Sequence, residues 1–145
     1  MTLQKAIEIA FAAHKDQTDK YGAPYLGHVT RVMNMGKTEE EKICGVLHDV
    51  VEDTDWTFEQ LAAEGFSDRI LEALRCVTKL SPDEDYDHFT ARILPNPLAC
   101  QVKLNDLTDN MDLRRMPEVT AADVPRLNKY LKAYRQVTAA INAAS

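Results

Sequence analysis

Apolar residues recur at three- and four-residue spacing along most of the chain, the mark of amphipathic helices. Leu3, Ala6, Ile7, Ala10 and Phe11 make one stripe, with Thr2 placed to cap it. A polar stretch from Asp16 to Pro24, containing Gly22, reads as a loop. A second helix is expected from about Tyr25 to Met35, closed by Gly36. Thr38 and Glu41 stand at capping-box spacing for a third helix, which carries Ile43, Val46, Leu47, Val50 and Val51. Thr57 with Gln60 starts a short helix that ends before Gly65. Ser67 starts another, with Ile70, Leu71, Leu74 and Val77 inward.

The charged stretch from Ser81 to Asp87 interrupts the pattern. A helix around Tyr86–Leu94 is stopped by Pro95 and Pro97, and the run from Leu98 to Met111 is again helical in period. A last helix from about Asp123 carries Leu127, Leu131, Tyr134, Val137 and Ile141. No strand alternation, repeat or low-complexity tract occurs. The expected fold is therefore all-α: a compact helical bundle in one domain spanning residues 1–145.

The 145 residues are 45% hydrophobic and 28% charged, ordinary for a globular protein with a real core. The formal net charge of −6 argues against nonspecific binding to nucleic acid or an acidic membrane. An anionic ligand would need a local metal or a few cations. The N-terminus reads as neither a signal peptide nor a membrane span. Cys44, Cys76 and Cys100 lie in apolar runs and read as small buried hydrophobes, which fits a reducing cytoplasm. The sequence sets no oligomeric state.

The densest chemistry lies in Leu47-His48-Asp49-Val50-Val51-Glu52-Asp53-Thr54. On one continuous helix His48 and Glu52 would share a face, with Asp49 and Asp53 on the neighbouring one. Acids this dense call for a cation. A divalent metal would take His48 and Asp49, leaving Glu52 and Asp53 to orient a water or relay a proton. Two acids near a helix C-terminus also oppose the macrodipole, as expected where function overrides stability. His28 and Asp106 lie on other helices, and spacing alone does not bring them to the pair. Asp106 and Asn110 share a face, with Lys103 one turn before, where it can pair with a carboxylate or reach a phosphate. His14 and His88 read as surface or structural. Arg31 is a weaker candidate for the cleft. Trp56 and Phe58 read as anchors of the next helix, and Asp83 to Asp87 as a solvated loop.

Four strings in order carry a family resemblance: Gly22 to His28; His48 to Thr54; Val77-Thr78-Lys79; and Val102 to Asn110. The chain resembles the HD-superfamily metal-dependent phosphohydrolases, and among them the hydrolase domain of the RelA/SpoT type, which includes small stand-alone (p)ppGpp hydrolases. The likeness runs from about Ala6 to Tyr134. It implies one metal, usually Mn²⁺, on His28, His48, Asp49 and Asp106. It implies a catalytic acidic pair in Glu52 and Asp53, a sugar contact in Asn110, and a substrate-facing cation in Lys20. The implied substrate is a phosphorylated nucleotide, with ppGpp giving GDP and pyrophosphate. The chain departs from the pattern at Asp19, where a guanine-stacking Arg is usual, and at Leu107, where longer members often carry Arg. An acid supplies no cation–π platform. Another phosphorylated nucleotide is therefore the alternative substrate. A nucleotide-sensing module without turnover is the alternative class.

Overall fold

The structure is a computed structural model, which describes residues 2–144. Among the described residues nine α-helices are arranged around one core: α1 (Leu3–His14), α2 (Tyr25–Met35), α3 (Glu39–Leu47), α4 (Val50–Asp53), α5 (Phe58–Ala63), α6 (Asp68–Cys76), α7 (Tyr86–Ile93), α8 (Pro97–Asn110) and α9 (Val124–Ala144). Two 3₁₀ turns, Leu113–Arg115 and Ala121–Asp123, link α8 to α9. Among the described residues the only β-type pairing is an isolated bridge between Thr18 and Pro24, which closes the loop after α1. No described helix is long and apolar enough to cross a membrane.

Most helix starts form where their capping residues stand. Thr2, Thr38, Thr57 and Ser67 each accept a backbone N–H of the first turn through the side-chain oxygen. Thr57 and Gln60 complete a reciprocal capping box. Asp85 and Asn96 cap α7 and α8 in the same way, and Pro97 occupies the first turn of α8, where its missing N–H costs nothing.

Helix α3 is the axis of the bundle. It packs on α1, α2, α6 and α8, and it buries Ile43, Cys44, Val46 and Leu47. Val29 of α2, Ala6 and Ala10 of α1, and Val102 of α8 belong to the same buried core. Each fully buried valine, leucine or isoleucine here contributes about 1.5–3 kcal/mol relative to exposure. Helix α9 covers α7 and α8 through Ala133 and Val137. Phe11 and Leu131 sit at the margins of their stripes, 40% and 42% exposed, because each stripe is wider than the face its neighbours cover.

Two glycines set the spacing of α2 and α3. A Cβ on Gly45 would lie 3.1 Å from Met33 Cα and from Val32 O, so the two helix backbones are nearly in contact there. Gly36 closes α2, but not through a left-handed cap: its φ is −65°. Its lack of a side chain matters because a Cβ would come within 2.9 Å of Lys42 N at the start of α3.

The third helix ends earlier than its apolar period implies. The chain breaks at His48 and Asp49, the latter at φ −106°, ψ 1°, before resuming as the single turn α4. His48 Nδ1 lies 2.7 Å from Gly45 O, the acceptor an uninterrupted helix would offer to Asp49 N–H. The shared faces expected for His48 with Glu52, and for Asp49 with Asp53, therefore do not belong to one continuous helix.

Candidate metal centre

Three segments bring four side chains to one point. His28 comes from α2, His48 and Asp49 from the break after α3, and Asp106 from the middle of α8. One donor atom from each falls within 4.8 Å of all the others. His28 Nε2 is 3.3 Å from His48 Nε2 and 3.1 Å from Asp106 Oδ1. His48 Nε2 is 3.0 Å from Asp49 Oδ2 and 3.1 Å from Asp106 Oδ1, and His28 Nε2 lies 3.6 Å from Asp49 Oδ2. Donors set about 2.1 Å from a common cation stand roughly 3.0–3.4 Å apart, depending on coordination geometry. Two imidazoles and two carboxylates at this spacing fit a borderline divalent ion.

The ring orientations are fixed from behind. His48 Nδ1 donates to the Gly45 carbonyl, and His28 Nδ1 meets Asp109 Oδ2 at 2.6 Å. Both rings therefore turn Nε2 toward the shared point, as the outer partner of a metal-binding histidine does. The Tyr25 hydroxyl donates to Asp49 Oδ2. Lys103 Nζ donates to Asp106 Oδ2 at 3.1 Å, and Asn110 Nδ2 to Asp106 Oδ1 at 3.0 Å.

Burial disfavours the charged form of His48, but the carboxylates of Asp49 and Asp106 outweigh it and hold the imidazole well above its usual range. Burial likewise opposes ionisation of Asp106, and Lys103 with His48 overcome it, keeping the carboxyl far below the usual value. Asp53 goes the other way. Burial, then the charges of Asp49 and Glu52, push it up to about 6. A carboxylate titrating there is suited to exchange protons near neutral pH.

Glu52 and Asp53 stand on the rim. Both line a cavity of about 180 Å³ with Asp49, Lys103, Asp106 and Asn110. Glu52 Oε1 accepts the Lys79 backbone N–H at 3.0 Å. Lys20 lines a second hollow of about 210 Å³, which shares Tyr25, Asn110 and Tyr130 with the first and also contains His28, Arg115 and Arg126. A wider cleft of about 770 Å³ opens beyond Glu52 and Asp53, between Phe58, Arg75 and Lys79. All nine residues singled out from sequence thus lie on two adjoining hollows or at the donors between them.

Asp109 was not singled out from sequence, although it is one of the most buried acids. Arg31 grips it at 2.7 Å through Nε, and Arg115 Nη1 at 3.0 Å. Burial opposes its charge, yet His28 and Arg31 bring its carboxyl down to about 2. The available signal was its spacing of three from Asp106 on a helix buried on several sides. Arg31 accordingly reaches the site through Asp109.

Asp19 has a structural task in place of the missing arginine. Its Oδ1 accepts the N–H groups of Tyr21 and Ala23, and its Oδ2 accepts Arg115 Nη2 at 3.1 Å. His14 is fully buried, with Nδ1 2.8 Å from Gln17 Oε1. His88 is exposed and pairs with Glu84.

No family model matches the chain. It is 31% identical over 120 residues to a guanosine-3′,5′-bis(diphosphate) 3′-pyrophosphohydrolase of Aquifex aeolicus, covering 75% of this chain and 17% of that protein. It is 38% identical over 81 residues to a probable enzyme of the same name from Synechocystis, covering 53% of this chain and 10% of the relative. The chain thus spans less than a fifth of the length of these relatives. A solved structure described as a metazoan ortholog of SpoT that hydrolyzes ppGpp superposes with a TM-score of 0.76 at 24% identity, over 96% of this chain and 84% of that one. The all-helical fold around a His, His-Asp, Asp cluster resembles that of HD domains, and the sequence is similar over 75% of its length to part of a relative of the RelA/SpoT type.

Proposed function

We propose that the chain is a divalent-metal-dependent phosphohydrolase, one HD-type unit over residues 1–145, acting in a reducing cytoplasm. Its substrate in this reading is (p)ppGpp, cleaved at the 3′-pyrophosphate to GDP or GTP and pyrophosphate. The observation that carries the reading is the cluster itself. Three buried donors and the partly buried Asp49 lie within 4.8 Å of one another, with two further carboxylates on the same cavity. The names of the Aquifex and Synechocystis relatives support the substrate.

His28, His48, Asp49 and Asp106 would hold the ion, Mn²⁺ in this reading. When bound it polarises a phosphoryl oxygen and makes water more acidic. Asp53 then accepts the proton of the attacking water on its carboxylate. Glu52, fixed by the Lys79 amide, orients that water. Lys103 and Lys20 offset phosphate charge, and Asn110 offers its amide to the sugar. The test is pyrophosphate release from ppGpp with Mn²⁺ by the wild-type chain and by Asp49→Ala. Equal rates in the two proteins would sink the assignment.

One observation favours a second substrate in the same site. Asp19 is committed to Arg115 and two backbone amides, so the loop offers no guanidinium plate for guanine. Another phosphorylated nucleotide is then the substrate. A panel of nucleotides separates the two readings, since turnover of ppGpp far above all others excludes the second.

A further inference from the structure

Asp53 sits on an element that cannot hold itself. Helix α4 is a single turn, closed by a bond from Asp53 N–H to Asp49 O at 2.9 Å. One turn has almost no stability of its own, because fixing its dihedrals costs more than its few hydrogen bonds return. The carbonyls at a helix end also lack partners within the helix. The Asp53 carbonyl is met instead from 36 residues away, where Gln17 Nε2 donates to it at 3.0 Å.

Gln17 has every polar group committed. Its N–H donates to His14 O at 3.0 Å, and its carbonyl accepts the N–H of Tyr25, at the start of α2, at 2.9 Å. Its side-chain Oε1 faces His14 Nδ1 at 2.8 Å. One residue thus ties the end of α1, the start of α2 and the end of α4. The direction of the bonds follows from the Asp53 carbonyl, which can only accept. It takes the amide nitrogen of Gln17, so His14 meets the amide oxygen and carries its proton on Nδ1. Burial favours the neutral ring, pushing the imidazole below its ordinary pKa against the pull of Gln17 and Asp49. His14 is fully buried, and Gln17 is the only side-chain hydrogen-bond partner of its ring among the described residues. The Tyr25 ring lies against it, with centroids 5.1 Å apart, and the Tyr25 hydroxyl donates to Asp49. One buried histidine therefore stands behind both the metal donor Asp49 and the acid Asp53.

We propose that Gln17, oriented by His14, is a positioning residue that fixes Asp53 for proton transfer. The inference rests on the hydrolase reading of the site. Both residues act through another: Gln17 through the main chain of Asp53, and His14 through the amide of Gln17.

The test is steady-state hydrolysis of ppGpp with Mn²⁺, well below Tm, paired with Mn²⁺ titration. Gln17→Met keeps the length of the side chain and removes both of its hydrogen bonds. It should lower kcat about 10- to 100-fold, the scale of loss when a reacting group is displaced, with KM and Mn²⁺ affinity as in wild type. His14→Leu should lose kcat likewise, and His14→Asn, whose amide replaces the Nδ1 donor, should retain most of it. A purely structural stitch would lower the Tm of Gln17→Met and leave the kcat of the folded protein unchanged. That result overturns the proposal, as does a change in KM or Mn²⁺ affinity that accounts for the whole defect. Equal losses in His14→Asn and His14→Leu overturn the part given to His14. A wild-type protein that turns over no nucleotide defeats the hydrolase reading, and the carboxyl ¹³C resonance of Asp53 then decides the tether. It should move in Gln17→Met, and an unmoved resonance overturns the tether.

Discussion

The carboxylate of Asp109 meets the rear nitrogen of His28 at 2.6 Å while both Arg31 and Arg115 hold that carboxylate in place. The imidazole is thereby fixed in ring angle and tautomer before any ion arrives. Asp109→Asn keeps the shape and removes the charge. It should weaken divalent-metal binding about 10- to 100-fold, the usual effect of losing such a partner. Metal titration reads this directly, and wild-type affinity in the variant would show that Asp109 serves only the arginines.

Metal removal should destabilise the fold. A ligand at 100 times its Kd adds about 2.7 kcal/mol to the native state. For a chain of this size that corresponds to roughly 5–10 °C in Tm. A melting curve indifferent to chelator would mean that the cluster binds no ion under the assay conditions.

The pH dependence of the metal-free protein follows from the shifts. His48 and His28 titrate above their ordinary value because neighbouring carboxylates outweigh burial. A raised histidine contributes stability that is complete below the unfolded pKa, about 6.5, and is lost as pH rises through the folded one. Tm in chelator should therefore fall above about pH 6.5. Saturating metal should abolish this fall, because the ion takes over the role of those protons. Glu84 acts at the other end. Arg92 holds it down, against burial, at about 2. Its contribution is present above the usual glutamate value and fades as pH drops toward 2, so Glu84→Gln should flatten the acid limb of the Tm profile.

Asp53→Asn should lower kcat by about 10²–10⁴ while leaving metal affinity close to wild type. In the metal-loaded protein the acid limb of kcat/KM should fall below pH 6, since a bound ion would offset the charge of Asp49 that, with burial, raises Asp53 to about 6 without it. A variant that keeps both rate and limb would remove Asp53 from proton transfer.

Gly45→Ala should separate the ligands without touching one. The new methyl would press on Met33 Cα and Val32 O, both 3.1 Å away, and move α3 off α2. The expected cost is about 1–3 kcal/mol of stability, together with weaker metal binding. Chemical denaturation and metal titration on the same sample check both effects.

Helix starts were legible because a capping side chain and the N–H it serves are neighbours in sequence, as Thr57 and Gln60 show. The four clustered side chains were legible as candidate metal donors only through the order of the strings around them, since their convergence depends on how α2, α3 and α8 pack. The break at His48 was not legible, because Val50 and Val51 continue the apolar period of α3 across it. Asp109 was missed for a related reason. Its partners lie at Arg31, 78 positions away, and at His28, 81 positions away, separations that no local pattern spans.

Arg115 is where this chain would resist retargeting. A single guanidinium ties the loop of Asp19 to the backbone and carboxylate of Asp109. Installing arginine at position 19, to regain a stacking plate for guanine, would set two like charges together and release the clamp behind His28. Changes in base preference and changes in metal grip are therefore coupled, and a redesign of one must rebuild Arg115 and its contacts in the same step.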